Sequence, residues 1–280
     1  MKERRIYSKN ADYQRFEVMK TNRNKRYRMG TFLVEGVRNI NEALKNEWRV
    51  ESFLYSFETP LSHWASGILE TCKSDINYGL TKDLMADLSN KEDTSELMAV
   101  IKMRENNPDL LNPSPASDNP VYVLFDRPSN KGNLGTIIRS CDGLGVKGLI
   151  VTGHGVDFYD PEVVSASMGS FFKLPFVRIE ESASVAQWIE AQKSRYPGFN
   201  VVGTSAHGSH SLFDLELKGP LLFLIGNETD GLSRNLSEMS DALASIPMAA
   251  DSSASSFNVA CAATVLLYEA QRQRMKGYRI

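Results

Sequence analysis

Leu221-Leu-Phe-Leu-Ile-Gly-Asn-Glu-Thr-Asp-Gly-Leu232 begins with five apolar residues in a row and empties into a polar turn flanked by glycines. A continuous apolar run this short is the pattern of a strand buried on both faces, as in the middle of a parallel sheet. Outward from it, Val121–Phe125, Gly148–Thr152, Phe176–Ile179, Val201–Gly203 and Leu243–Ile246 are further candidate strands. Helix-like stretches lie between them near 134–144, 161–170, 183–194 and 231–239, with a final one near 257–274. Strands alternating with helices predict an α/β fold, a mostly parallel sheet covered by helices on both faces. Ligands in such sheets bind beyond the carboxyl ends of the strands, so the loops after those ends are where chemistry is sought.

Toward the amino terminus, residues 106–120 carry four prolines among Asn, Ser and Asp, which interrupts any periodic pattern. The segment reads as an interdomain linker between a first domain over 1–105 and a second over 121–280. In the first, Phe32-Leu-Val-Glu-Gly36 runs into the amphipathic Val37–Leu44, and Val50–Tyr55 has strand character. Strand-like and helix-like pieces continue to the linker, giving a small α/β domain.

Composition excludes several classes. No apolar run approaches the roughly 18 residues needed to span a bilayer, and the first ten residues are too polar for a secretory signal, so the expected location is the cytoplasm, with no membrane partner. Cys72, Cys141 and Cys261 are odd in number and far apart, which argues against a disulfide framework and against a metal site. The net charge of −2 is unevenly spread: residues 1–30 hold ten Lys/Arg against three acids, a surplus of +7, leaving −9 for the rest. Arg23, Lys25, Arg26 and Arg28 suit phosphate contacts, with Tyr13 and Tyr27 available for stacking on bases or riboses. The plainer reading is a solvated arm that keeps the protein soluble.

Two glycine motifs mislead. Gly143-Leu-Gly-Val-Lys-Gly148 matches a dinucleotide fingerprint but follows a helix and precedes a strand, the reverse of what that fingerprint requires, so it reads as a helix-to-strand turn. Gly226 to Gly231 lacks the lysine of a phosphate loop, and Glu228 and Asp230 repel phosphate. Instead, Gly226 ends a buried strand where main-chain groups can meet a ligand, and Ile246-Pro-Met248 ends the next strand similarly, offering an apolar wall. Either alone is an ordinary strand-terminal turn. Asn133-Leu-Gly-Thr-Ile-Ile-Arg139 opens a helix after the strand Val121–Phe125, and puts a guanidinium on the same helix face as Gly135. It is either an asparagine-capped helix with a surface arginine or a clamp for phosphate. Ser252-Ser-Ala-Ser-Ser-Phe-Asn258 reads first as a helix start, but Ser256 and Asn258 could also position a hydroxyl group.

Together and in this order, these segments resemble the SPOUT superfamily of methyltransferases, TrmH or SpoU branch. The matching pieces are Asn133-x-Gly135-x-x-x-Arg139, Leu224-Ile-Gly-Asn-Glu-Thr-Asp-Gly-Leu232 with Ile246-Pro-Met248, and Ser256-Phe-Asn-Val-Ala260, helped by Asp157, Asp160-Pro161, Ala166-Ser-Met-Gly169 and Leu174-Pro175. Phe32-Leu-Val-Glu-Gly-Val37 resembles the family's amino-terminal RNA-binding domain of ribosomal-protein-like type. The resemblance implies a catalytic domain with a trefoil knot, a homodimer formed through it, S-adenosylmethionine as cofactor and RNA as partner, methylated on a ribose 2′-hydroxyl.

By the same resemblance, Thr204, Gly226, Ile246, Met248 and Phe257 hold the cofactor, and Asn133, Arg139, Glu228, Ser256 and Asn258 have catalytic or substrate roles. The family usually has Leu where Phe257 stands, and the stretch from Met248 to Ser256 is longer than usual, so the adenine pocket is expected to be reshaped. An arginine keeps its proton at neutral pH, so Arg139 is expected to activate through hydrogen bonds or a phosphate rather than as a base. Asn133, Ser256 and Asn258 would orient the ribose, while Glu228 holds its loop or Asn133. The sulfonium supplies the electrophile, so no metal is expected. The amino-terminal domain favours folded ribosomal RNA over transfer RNA. A non-catalytic RNA-binding or ribosome-assembly protein and a nucleotide-dependent oxidoreductase are the competing readings.

Overall fold

The computed structural model describes residues 2–112, 119–206 and 208–275, so 113–118 of the expected linker lie outside the described residues. The chain divides into two compact units, one of the chain up to Glu105 with Asp157–Lys173, the other of Asn106–Val156 with the chain from Leu174 onward.

The first unit contains β1 (Glu3–Ile6), α1 (Ala11–Thr21), α2 (Arg23–Met29), β2 (Thr31–Glu35), α3 (Val37–Lys45), β3 (Val50–Ser56), α4 (His63–Thr71), β4 (Asn77–Leu80), α5 (Lys82–Leu88) and β5 (Leu97–Lys102). Its sheet runs β1-β4-β3-β5-β2, with β1, β4 and β3 parallel and β5 antiparallel to both neighbours. Asn10 caps α1 through Tyr13 N at 3.0 Å, and Tyr13, Phe16 and Met19 on that helix are fully buried in a core with Leu33, Leu54, Met98 and Val100.

The basic segment is therefore mostly folded structure, and two of its expected contacts change. Tyr13 has no exposed face on which a base could stack. Arg26 is 1% exposed and points inward: its Nε and Nη2 donate to Asp157 Oδ2 at 3.0 and 2.7 Å, its Nη1 to the Met19 carbonyl at 2.8 Å. Asp157 also accepts from the Tyr27 hydroxyl at 3.0 Å. A guanidinium so buried and paired is structural, not a phosphate contact. Arg28 is exposed, and Arg23 and Lys25 are half-buried, with Arg23 over the Tyr27 ring at 5.7 Å.

The same contacts explain why Asp157–Lys173, which the sequence reading gave to the second domain, belongs with the first. Trp48 Nε1 donates to the Phe172 carbonyl at 2.8 Å, and Phe32 packs against Tyr159 and Phe171 with ring centroids 4.9 and 5.7 Å apart. The expected helix 161–170 is shorter here: α7 (Pro161–Ala166) is followed by Met168 at φ 52° and Gly169 at φ 93°, both left-handed, before a short 3-10 turn at Ser170–Phe172.

The second unit contains β6 (Val121–Phe125), α6 (Lys131–Gly143), β7 (Gly148–Val151), β8 (Phe176–Arg178), α8 (Ser182–Arg195), β9 (Asn200–Thr204), β10 (His210–Ser211), β11 (Leu221–Ile225), α9 (Arg234–Glu238), β12 (Ala242–Ser245) and α10 (Val259–Arg274). The sheet order is β10-β12-β9-β11-β6-β7-β8 and every pairing is parallel. All five residues of β6 and of β11 are buried, the signature of central strands covered on both faces. α6 ends at Gly143 and β7 starts at Gly148, which makes the misleading glycine motif a helix-to-strand turn. Part of the expected linker is core: Leu111, in the 3-10 turn Pro108–Leu111, is fully buried, and its carbonyl accepts from the Tyr122 hydroxyl at 2.9 Å.

Removing one partner of a buried ion pair strands the other without compensation, at a cost of about 3–5 kcal/mol. Arg26→Met should therefore destabilise the first unit by about that amount in denaturant unfolding. Adding Asp157→Asn to Arg26→Met should recover part of the loss. Additive losses in that double-mutant cycle would show that the pair does not couple.

Candidate functional site

Strand register assembles the site. Leu224 pairs with Gly203, Gly203 with Leu243 and Thr204 with Ala244, so Thr204, Gly226 and Ile246 leave the sheet together at the carboxyl ends of β9, β11 and β12. Phe125 pairs with Ile225, and the loop after β6 therefore emerges beside the turn after β11. Thr204 Oγ1 donates to the Leu224 carbonyl at 2.9 Å, which ties β9 to β11 at this edge. Ile246 and Met248 are half-buried, Ser256 is exposed and Phe257 is 44% exposed.

The turn after β11 is closed by its own backbone. Asn227 N donates to the Gly231 carbonyl at 2.9 Å and Gly231 N to the Asn227 carbonyl at 3.1 Å, while Asn227 Oδ1 accepts from Thr229 N and Asp230 N. A Cβ at Gly226 would sit 2.4 Å from the Gly231 carbonyl carbon and from Leu232 N. The close approach that Gly226 permits is thus to the chain's own turn, and a larger residue there would break the turn itself. The expected helix near 231–239 is confined to Arg234–Glu238, because Gly231 at φ 69° still belongs to the turn.

The turn presents Glu228 to the start of α6. Its Oε2 accepts from Ser129 N at 3.1 Å and Ser129 Oγ at 2.7 Å; its Oε1 accepts from Asn130 N and from Asn133 Nδ2, both at 3.2 Å. Partial burial pushes this carboxyl up, but the hydrogen bonds outweigh it, led by that of the Ser129 hydroxyl, and hold it below the usual carboxylate range. Asn133 Oδ1 then accepts from Asn258 Nδ2 at 3.1 Å, and Asn258 Oδ1 caps α10 through Ala260 N and Cys261 N at 2.9 and 3.3 Å. A continuous line of hydrogen bonds from Glu228 through Asn133 to Asn258 joins three segments far apart in sequence.

Arg139 stands apart from that line. Nearly two turns further along α6 than Asn133, it is exposed and lines an open groove of about 550 Å³ with Thr136, Ser140, Thr264, Val265 and Tyr268. Ser140 and Thr264 meet across the floor of the groove, hydroxyl to hydroxyl, at 2.7 Å. Of the five residues given catalytic roles, the structure bonds Asn133, Glu228 and Asn258 to one another and leaves Arg139 and Ser256 exposed nearby in the chain.

Sequence reading missed Asp126 and Arg127. Asp126, 2% exposed, accepts from the Thr152 hydroxyl at 2.6 Å and from Ser233 N at 2.9 Å. Arg127, at φ 47°, donates from its Nη2 to the Gly231 carbonyl at 3.2 Å and lies 3.1 Å from Asp126, while its own carbonyl accepts from Asn227 Nδ2 at 2.6 Å. These two residues brace the turn that carries Glu228. The signal was available: an acid directly after a central strand, where strand ends gather in a parallel sheet. Among the described residues, no cluster of three or more His, Cys, Asp or Glu side chains could hold a metal ion, and no helix is long and apolar enough to cross a membrane.

Comparison with known proteins fits this arrangement. Residues 120–268 match the model of the SpoU rRNA Methylase family, and residues 10–99 that of the SpoU L30e-like domain. A 23S rRNA (uridine(2479)-2′-O)-methyltransferase of Streptomyces viridochromogenes is 44% identical over 98% of this chain and 94% of its own. The crystal structure of the SpoU methyltransferase AviRb from the same organism, in complex with AdoMet, superposes with a TM-score of 0.89 over 95% of this chain and 98% of that one, at 44% identity. An AdoMet-bound rRNA methyltransferase from Sinorhizobium meliloti gives a TM-score of 0.81 over 98% of this chain and 99% of that one, at 27% identity. With motifs, fold and family models in agreement over both units, the chain belongs to the SpoU rRNA methylase family.

Proposed function

We propose that the protein transfers a methyl group from S-adenosylmethionine to a ribose 2′-hydroxyl of 23S ribosomal RNA. The observation that carries this reading is the bonded line Glu228–Asn133–Asn258 at the carboxyl edge of a parallel sheet, in a chain similar along its whole length to a 23S rRNA 2′-O-methyltransferase.

The residues at that edge fit the cofactor. Half-buried Ile246 and Met248 offer apolar surface beside main chain at the ends of β9, β11 and β12, and the partly exposed Phe257 adds a ring, which suits an adenine and the apolar carbons beside the sulfonium. Thr204, Gly226, Ile246, Met248 and Phe257 would hold it. When bound, S-adenosylmethionine supplies a methyl carbon activated by a sulfonium.

The chain's own task is positioning. Glu228 accepts four hydrogen bonds and is ionised at neutral pH, so it anchors the 128–133 loop and is a poor proton acceptor. Asn133 bonds both Glu228 and Asn258, which fixes the Asn258 side chain; the second Nδ2 hydrogens of Asn133 and Asn258 and the Ser256 hydroxyl are donors that can orient a ribose. Arg139 offers its guanidinium N–H donors to the phosphate or the 2′-oxygen of the target nucleotide.

Three further parts complete the reading. The first unit recruits RNA, with Arg23, Lys25 and Arg28 as phosphate contacts; Arg28 is exposed, and Arg23 and Lys25 are half-exposed at the turn of α2. The chain after β12 follows the trefoil-knotted path of the family, consistent with Asn258 reaching Asn133 and Thr264 reaching Ser140. Two copies pair through α6 and α10 in the cytoplasm, since Val265 and Tyr268 on α10 are 40% and 60% exposed beside Arg139.

Arg139→Ala and Arg139→Lys should both fold and bind S-adenosylmethionine by calorimetry, yet lose at least about two orders of magnitude in single-turnover methyl transfer to 23S rRNA. Near-parental rates would reduce Arg139 to a surface residue. Glu228→Gln should cost about 1 kcal/mol, because an amide has one acceptor oxygen where the carboxylate has two. Since the folded carboxyl titrates below its unfolded value of about 4.3, the parent's advantage should be full well above that value and lost progressively as pH falls from it through the lower folded value. A thermal stability difference that does not vary with pH would contradict this. Tyr268→Asp should convert a dimer to a monomer in sedimentation velocity; an unchanged sedimentation coefficient would place the interface elsewhere.

A further inference from the structure

β1 and Tyr7 precede the segment, 10–99, that matches the L30e-like domain. Register aligns Arg5 with Gly79 and Gly79 with Tyr55, so these residues form one row across the three parallel strands β1, β4 and β3. Residues two apart on a strand share a face, and Tyr7 and Phe57 stand one step beyond that row on the same side. The opposite face, with Ile6, Leu54, Tyr78 and Leu80, is core.

On the first face Gly79 is the floor: a Cβ there would lie 3.3 Å from Phe57 Cδ1, so its absence lets the phenyl ring settle onto the sheet. The Tyr7 ring meets Phe57 at a centroid distance of 5.3 Å, tilted by 57°, and the Arg5 guanidinium lies 5.3 Å over the Phe57 centroid. Glu3 Oε1 is 3.5 Å from Arg5 Nε, and Arg5, whose side chain is 57% exposed, also hydrogen-bonds the Tyr7 side chain. Tyr7 itself is 66% exposed. An aromatic ring held in place by a second ring, open on one side and next to a cation, contributes little to the fold from that position. Its geometry is that of an aromatic sheet platform for unpaired nucleotides, where a base stacks on the ring and a cation meets the phosphate. Arg5 is the cation beside the ring; Arg4 and Lys9, its neighbours in sequence, pair with Asp12 and Asp87.

We propose that Tyr7, backed by Phe57, is a stacking platform for one unpaired base of the RNA substrate, with Arg5 on the adjoining phosphate. The inference rests on the reading of the protein as an RNA methyltransferase and adds a substrate contact on the first unit, outside the methyl-transfer site.

The full-length protein, Tyr7→Phe and Tyr7→Leu separate stacking from plain apolar contact; Tyr7 is exposed enough that all three should fold alike. Filter binding to labelled, protein-free 23S rRNA gives Kd, steady-state methyl transfer gives KM and kcat, and calorimetry gives affinity for S-adenosylmethionine. Tyr7→Leu should weaken RNA binding and raise KM about ten-fold, with kcat and cofactor affinity unchanged, and Tyr7→Phe should behave as the parent. Ultraviolet crosslinking of bound RNA should map to the peptide containing Tyr7. Equal Kd and KM for parent and Tyr7→Leu would overturn the platform while leaving the enzyme reading intact, and so would a Tyr7→Phe as weak as Tyr7→Leu. Equal RNA affinities with self-association that depends on Tyr7 would assign the patch to a second copy instead. A parent that binds RNA through Tyr7 but transfers no methyl would sink the enzyme reading and keep the platform. A parent that binds no RNA overturns both.

Discussion

The pairing of β6 with β11 is the constraint on which the second unit depends. Val121–Phe125 and Leu221–Ile225 lie side by side in register, residue for residue, although a hundred positions separate them in the chain. Both strands are wholly buried, so a slip by one residue would turn each side chain to the opposite layer. Because register is fixed, the Asp126–Asn133 loop and the Gly226–Leu232 turn must emerge together. Closing that long loop costs conformational entropy, which the continuous apolar surface of the central strands offsets.

Once the two loops are neighbours, polar satisfaction shapes them. Asp126 is buried and matched by Thr152, Ser233 and Arg127; Arg127 in turn holds the Gly231 carbonyl. Glu228 is less buried and carries four donors. A buried or half-buried carboxylate is tolerated only when its lone pairs are used, and here the donors come from the loop that the carboxylate must fix. The result is a preorganised edge in which Asn258 is held from two sides, by Asn133, itself fixed by Glu228, and by the first turn of α10.

The first unit uses the same economy of charge for a different end. Arg26 and Asp157 are far apart in sequence, and their ion pair, with the aromatic cluster of Phe32, Trp48, Tyr159, Phe171 and Phe172, recruits a segment from just past the midpoint of the chain. Part of the basic surplus of the amino-terminal segment is thereby held inside the fold by Arg26.

The strand alternation of the second unit, its strand limits to within a residue or two, and the candidate loops at strand ends were all legible in the sequence, because apolar runs and glycine or asparagine punctuation act over a few residues. The family motifs were legible for the same reason: each is a short local pattern around Asn133, Glu228 or Asn258. Arg26 was not legible, since a lysine-rich or arginine-rich stretch looks the same whether a side chain points out to solvent or in toward an acid more than a hundred residues away. Nor was the role of Gly226, whose missing side chain serves Gly231 and not open space, or the membership of Asp157–Lys173 in the first unit. Those depend on which distant groups the register brings within a few ångströms of each other. Local chemistry is written in neighbouring residues, whereas burial and pairing are decided only when the sheet has closed over its long-range contacts.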